Sequence, residues 1–122
     1  MKKLLFVFLL SISSVVHAEW KLIDSNDSAN FYIDITTIQT INNYKRVWQK
    51  DEYRDKLEGM FSSRSYMEFD CKEKKLRRLS FEGFKQSNLI DSFVFTKQPR
   101  EWMFAPPSSV SLRILNFVCS SK

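Results

Sequence analysis

The sequence predicts an α+β domain, an antiparallel meander-like β-sheet packed by a C-terminal α-helix that one disulfide tethers. Most of the chain alternates apolar and polar residues in short segments joined by polar turns, which is typical of successive antiparallel strands. The last segment begins with Pro106-Pro107-Ser108-Ser109 and then repeats apolar residues at helical spacing. The only two cysteines, Cys71 and Cys119, lie far apart in the chain and supply the tether.

The first eighteen residues have the three-part pattern of a secretory signal peptide. Lys2 and Lys3 precede the apolar run 4–10, and Val16-His17-Ala18 offers a cleavage site. The apolar run is short for a membrane span, although an uncleaved N-terminal anchor is the alternative. We expect cleavage after Ala18, which leaves a mature domain of residues 19–122 with no integral membrane span. No cysteine lies near the cleavage point, so a lipid anchor is not expected.

The mature chain is expected to be one domain with a mild positive charge. It would hold 104 residues, with 17 Lys and Arg against 14 Asp and Glu, so its formal charge would be +3 instead of +5. This small excess favours acidic or polyanionic partners weakly and does not indicate a nucleic-acid-binding protein.

Cysteine usage agrees with export. In a small secreted domain a cysteine pair most often forms one intramolecular bridge, here Cys71–Cys119. Free thiols or bridges between subunits are the alternatives. A metal site is not expected, because two cysteines without histidine cannot complete a tetrahedral zinc shell from soft ligands.

The residues available for catalysis are few. His17, the only histidine, lies in the signal peptide, so the mature chain cannot build a histidine-dependent nucleophile. Gly59 and Gly83 are too few for a glycine-rich phosphate loop. Carboxylates cluster at 51–58, but interleaved basic residues are more typical of a solvated segment. The sequence therefore indicates neither an enzyme nor a cofactor.

Strands and turns follow in order along the mature chain. Strands are predicted over 19–23, 31–35, 44–50, 64–71, 76–84 and 91–96. Turns are predicted at 24–30, 42–43 and 72–75, residues 36–41 are ambiguous, and 51–63 is predicted as a charged connection with a helical turn. In strand 76–84, Leu79 and Phe81 share one face and Arg78, Ser80 and Glu82 the other.

The C-terminal segment allows two interpretations. Ser108 or Ser109 can cap a helix in which Val110, Ile114 and Phe117 recur at helical spacing. The residues from 110 to 114 also alternate as a strand would, but the Pro-Pro-Ser-Ser start favours the helix. Cys119 then connects the end of that helix to the strand that ends at Cys71.

Two groups of residues are candidates for binding. The first is the densest basic segment, which would meet acidic or sulfated partners or else guard a sheet edge: Lys72, Lys74, Lys75, Arg77 and Arg78. The second is an aromatic and arginine face that is either an interface or ordinary cross-strand packing: Tyr44, Arg46, Trp48 and Tyr66. A C-terminal Lys122 is a weaker signal for a lysine-binding kringle.

Several sequence features, taken in chain order, resemble those of one family of exported bacterial proteins. Trp20 follows the signal peptide, then come Phe31-Tyr32-Ile33-Asp34, Ile38, Val47-Trp48 and Asp70-Cys71. Trp102 precedes Pro106-Pro107-Ser108-Ser109, and the pattern closes with Phe117-Val118-Cys119. With these features the mature chain resembles the surface-adhesin protein E family over nearly its whole length.

This resemblance implies an antiparallel sheet with a disulfide-tethered helix, often in a dimer, at the bacterial surface or outer membrane. It also implies binding of host extracellular-matrix or plasma proteins such as vitronectin, laminin and plasminogen. The alternative function is a periplasmic accessory or inhibitor protein without a host ligand, because a shared fold does not determine function.

Overall fold

The polypeptide folds as one antiparallel sheet with a helix on one face. The computed structural model describes residues 17–57, 59–85, 88–94 and 101–121. The strands are β1 (Trp20–Ser25), β2 (Ala29–Asp34), β3 (Gln39–Ile41), β4 (Tyr44–Leu57), β5 (Met60–Asp70), β6 (Lys75–Lys85), β7 (Asn88–Val94) and β8 (Met103–Phe104). A 3-10 turn spans Ile35–Thr37, and helix α1 spans Val110–Ser120.

Strand order in the sheet is β1-β2-β4-β5-β6-β7, and every paired strand is antiparallel. The two short strands depart from a simple meander, since β3 pairs with β4 and β8 returns to pair with β6. The ambiguous segment 36–41 is thus part turn and part strand. The predicted last strand 91–96 begins earlier, at Asn88, and its final two residues lie outside the described residues.

Two of the predicted turns are closed by their own side chains. The Asn26 side-chain oxygen accepts from the backbone N–H groups of Ser28 and Ala29, both at 2.9 Å, between β1 and β2. The Asp70 carboxylate accepts from the N–H groups of Lys72 and Glu73 between β5 and β6. These side-chain to backbone hydrogen bonds are why such polar clusters mark turns in a sequence.

The prediction of a charged connection over 51–63 is wrong. Strand β4 continues to Leu57 and β5 begins at Met60, so a tight hairpin replaces the connection. Gly59 supplies the positive φ of 82° that this turn requires. The polar residues stay in strands because cross-strand partners satisfy them. Tyr53, for example, lies 2.8 Å from the Ser63 hydroxyl.

Helix α1 is confirmed, and its start is capped as the sequence indicates. The Ser109 hydroxyl accepts from the Leu112 N–H at 3.1 Å. Arg113 pairs with Asp24 of β1, which lowers the pKa of the Asp24 carboxyl. At the other end of the helix, Lys45 Nζ donates to the Ser121 carbonyl at 2.9 Å. Polar contacts therefore hold both ends of α1 on the sheet.

The core lies between α1 and one face of the sheet. Three helix residues, Ile114, Leu115 and Val118, pack there, and their side chains are buried. The sheet contributes Ile33, Val47, Met67, Phe69 and Leu76. The Cys71–Cys119 disulfide closes one end of this core, with Cα atoms 5.7 Å apart. That pairing confirms the predicted tether.

Candidate functional site: the open face of the sheet

The predicted aromatic and arginine residues lie together on the sheet face opposite α1, which we call the open face. Tyr44, Arg46 and Trp48 alternate along β4 and point to this face, as the two-residue period of a strand requires. Trp48 lies opposite Tyr66 of β5, and their rings stack with centroids 5.1 Å apart and planes inclined by 26°. Both residues are half-buried.

A buried carboxylate organises the arginines of this face. Glu68 is 0% exposed, although it lies on the open face and not on the face that carries the core. Arg46 Nε donates to one carboxylate oxygen at 2.7 Å, and the Arg77 Nε and Nη2 atoms contact the other oxygen, each at 2.7 Å. The triad therefore spans three adjacent strands, β4, β5 and β6. Charge-assisted hydrogen bonds of this length hold both guanidinium groups in fixed positions.

Trp102 covers one end of the triad. The Arg77 guanidinium carbon lies 4.2 Å from the centroid of the Trp102 ring, and Lys75 Nζ lies 5.4 Å from it. Tyr44 packs against the same ring at 5.1 Å. Sequence reasoning did not assign Trp102 or Glu68 to the site. The alternation of β5 placed Glu68 on the face of Tyr66, but nothing local indicated that it is buried.

A second group of rings and cations continues the face toward β1. Lys50 Nζ lies 4.9 Å from the ring centroids of both Trp20 and Tyr32. The exposed Arg64 lies over the Trp20 ring at 5.8 Å and over the Phe84 ring at 5.2 Å. Such cation–π pairs immobilise long side chains and orient them over the sheet.

The predicted basic segment does not form one patch. Lys72 and Lys74 are exposed in the β5–β6 turn, whereas Lys75 and Arg77 pack against Trp102 on the open face. Arg78 lies on the helix side of the sheet, where its guanidinium covers the Phe81 ring at 5.0 Å.

The predicted alternation of strand 76–84 is therefore wrong at Arg78. Tyr66 pairs with Ser80, but the next residue, Met67, pairs with Arg78, which leaves Leu79 as an extra residue in β6. Such a bulge shifts the alternation by one position. Arg78 and Phe81 consequently lie on the same face of the sheet, although the sequence pattern assigns them to opposite faces.

On the helix side of the sheet, Asp51 lies among polar side chains that are partly shielded from water. Burial raises the pKa of the Asp51 carboxyl above its ordinary value of 3.8, and the Gln49 hydrogen bond at 2.8 Å and the nearby Arg78 only partly oppose this. Burial likewise raises the pKa of the Tyr53 hydroxyl, which hydrogen-bonds to Ser63. In such surroundings the ionised form of the carboxyl is disfavoured relative to its protonated form.

Replacing Asp51 by asparagine should raise the melting temperature at pH 7. The folded pKa of Asp51 is raised, so ionisation costs stability above that pKa, and the cost disappears below the unfolded value of 3.8. The gain of Asp51→Asn should therefore vanish at about pH 3. Asp55→Asn, at an exposed position of the same strand, is the matched control. An equal gain for both variants, or a gain unchanged at low pH, would contradict this account.

Some features fall outside this site or outside the described residues. Within the described ranges, no group of three His, Cys, Asp or Glu side chains is placed to hold a metal ion. No helix in those ranges is long and apolar enough to cross a membrane. Residues 1–16 of the predicted signal peptide 1–18 and the terminal Lys122 lie outside them.

The open face carries arginine and aromatic side chains, the residue types that are enriched in protein-binding surfaces. The family described as surface-adhesin protein E matches residues 20–120. The chain belongs to this family, as the resemblance indicated.

Solved structures agree on the fold. Crystal form II of Haemophilus influenzae protein E aligns with a TM-score of 0.56 at 14% identity, over 86% of this chain and 97% of that one. Its selenomethionine form gives 0.58 at 14% identity, over 86% and 93%. Protein E from non-typeable Haemophilus influenzae gives 0.58 at 15% identity, over 88% and 79%. No curated protein matches the chain significantly.

Proposed function

We propose that this protein is an exported bacterial surface adhesin that binds a host matrix or plasma protein through its open face. Membership of the surface-adhesin protein E family supports the function. The observation that carries the choice of face is the Arg46–Glu68–Arg77 triad, flanked by the Trp48–Tyr66 stack. Arginine and aromatic side chains dominate protein–protein binding energy, and positions fixed before binding reduce its entropic cost.

The same geometry favours a protein ligand over a polyanion. Lys75 and Arg77 pack on Trp102, and Glu68 offsets part of the charge of its two arginines. Glu82 lies opposite Arg64 in the register of β5 and β6, and Lys50 pairs with Glu52 at 3.4 Å. The face is thus patterned in both signs of charge, which suits a protein surface better than a sulfated chain.

Export of the mature domain is part of the proposal. Glu19, the first residue after the proposed cleavage site, is held from both sides: its N–H donates to the Asp34 carboxylate at 3.1 Å, and its carbonyl accepts from the Ile35 N–H at 3.0 Å. Residues 17 and 18 are exposed. Removal of residues 1–18 would leave these contacts of the sheet intact.

The test measures binding of the mature chain to immobilised vitronectin, laminin and plasminogen. Trp48→Ala and Arg64→Glu on the open face should each weaken the binding at least about tenfold, as interface anchors do. The double variant Lys72→Glu/Lys74→Glu in the exposed turn is the matched control and should bind nearly as well as the wild type. Melting temperatures confirm that each variant is folded.

Two results would overturn the proposal. Loss of binding in the turn variant with retention in Trp48→Ala would move the site to the basic turn and favour a polyanion. No binding to any of the three proteins, together with antibody labelling of cells only after permeabilisation, would favour a periplasmic accessory or inhibitor protein instead.

A further inference from the structure

A cleft lies on the opposite side of the sheet, away from the open face. It runs between the first turns of α1 and strands β2, β4, β5 and β6, and it encloses about 350 Å³. The rim includes Met103, which is 63% exposed and lies in β8, and Ser111 of α1. Its size is near the lower end of the range typical of small-molecule sites.

The wall of the cleft is mostly apolar. Phe31, Met67 and Phe69 come from the sheet, and Val110 and Ile114 come from the helix. These side chains belong to the core or pack against it, so the wall is preformed and rigid. A rigid apolar wall favours a ligand with an apolar body, because binding then buries apolar surface without reordering the protein.

One corner of the cleft is polar and balanced in charge. The Gln49 side-chain amide donates to Asp51 at 2.8 Å, and both residues line the cleft with Arg78. Asp51 and Arg78 carry opposite charges and interact in this corner, and Glu101 also lines the cleft. Arg77 borders the cleft as well, but Glu68 holds its side chain on the open face. A charged ligand would bring an uncompensated charge into this desolvated space, whereas an uncharged group can hydrogen-bond there without that cost.

We propose that this cleft binds a small, uncharged amphiphilic molecule. Its apolar body lies against Phe31, Met67 and Ile114, and its one hydrogen-bonding group meets the Gln49–Asp51 corner. The desolvation that raises the pKa of Asp51 agrees with a water-poor corner. This site is independent of the open face, since the sheet separates the two.

A matched pair of fluorescent probes tests the class of ligand. N-phenyl-1-naphthylamine is uncharged, with an apolar body and one N–H group, and 8-anilino-1-naphthalenesulfonate has the same skeleton with an added sulfonate. The mature chain should bind the uncharged probe saturably at one molecule per chain, and at least about tenfold more tightly than the sulfonate. Equal binding of both probes, or no saturable binding of the uncharged one, would overturn the proposal.

Variants test the location. Ser111→Trp should fill the cleft and abolish binding of the uncharged probe, while Asn116→Trp, on an exposed position of the same helix, should leave it unchanged. If Ser111→Trp does not fold, Met103→Glu places a carboxylate on the exposed rim and should weaken binding several-fold. Unaltered binding in the folded variants would overturn the assignment. None of these substitutions should change host-protein binding, so failure here is distinguishable from failure of the adhesin proposal.

Discussion

Removal of the Cys71–Cys119 disulfide should lower the free energy of unfolding by about 4 kcal/mol in the chain-entropy model. The two cysteines are 48 positions apart, so the bridge closes a long loop in the unfolded chain. The stability of α1 should fall the most, because an eleven-residue helix is marginal without its contacts. Its three buried residues, Ile114, Leu115 and Val118, form much of the core.

Urea unfolding of the mature chain checks this value. The wild type with reductant and the variant Cys71→Ser/Cys119→Ser should show the same loss relative to the oxidised wild type, and reductant should not affect the variant. Hydrogen exchange should report faster exchange in α1 than in β4 and β5 once the bridge is absent. A loss below about 1 kcal/mol would mean that the contacts of α1 alone hold the helix in place.

Glu68→Gln should lower the free energy of unfolding by about 3 kcal/mol, the lower end of the range for breaking a buried ion pair. The glutamine cannot compensate two guanidinium groups, and its amide nitrogen would point a donor at one of them. The lower end applies because the Arg46 and Arg77 side chains are 31% and 22% exposed and can recover some hydration. Melting temperature would fall by roughly 12–24 °C for a domain of this size.

Two comparisons make the Glu68 measurement specific. Glu73→Gln, in the exposed β5–β6 turn, should change stability by less than about 0.5 kcal/mol. The triple variant Arg46→Met/Glu68→Met/Arg77→Met removes the whole triad and should recover most of the lost stability, since apolar replacement of a complete buried network is often neutral. It should still fail to bind the host protein. A triple variant that binds normally would show that the triad serves stability alone.

Sequence patterns predicted the elements whose cause is local. The two-residue alternation placed Tyr44, Arg46 and Trp48 on one face, where the structure has them. The Ser109 cap and the helical spacing after it are also local, and α1 follows them. The cysteine pair needed one further premise, that the chain is exported, because redox environment decides whether such a pair is bridged.

Only the tertiary structure decided where the charges lie. Residues 51–57 carry the composition of a loop, yet pairing with β2 and β5 at residues 51–53 and at Leu57 keeps the segment in strand β4. The extra residue Leu79 turned Arg78 to the helix side, and a bulge is visible only in the pairing of two strands. Glu68 is buried because arginines 22 positions before and 9 positions after it meet its carboxylate. The free energy of a charge depends on its neighbours in space, and its neighbours in sequence do not reveal them.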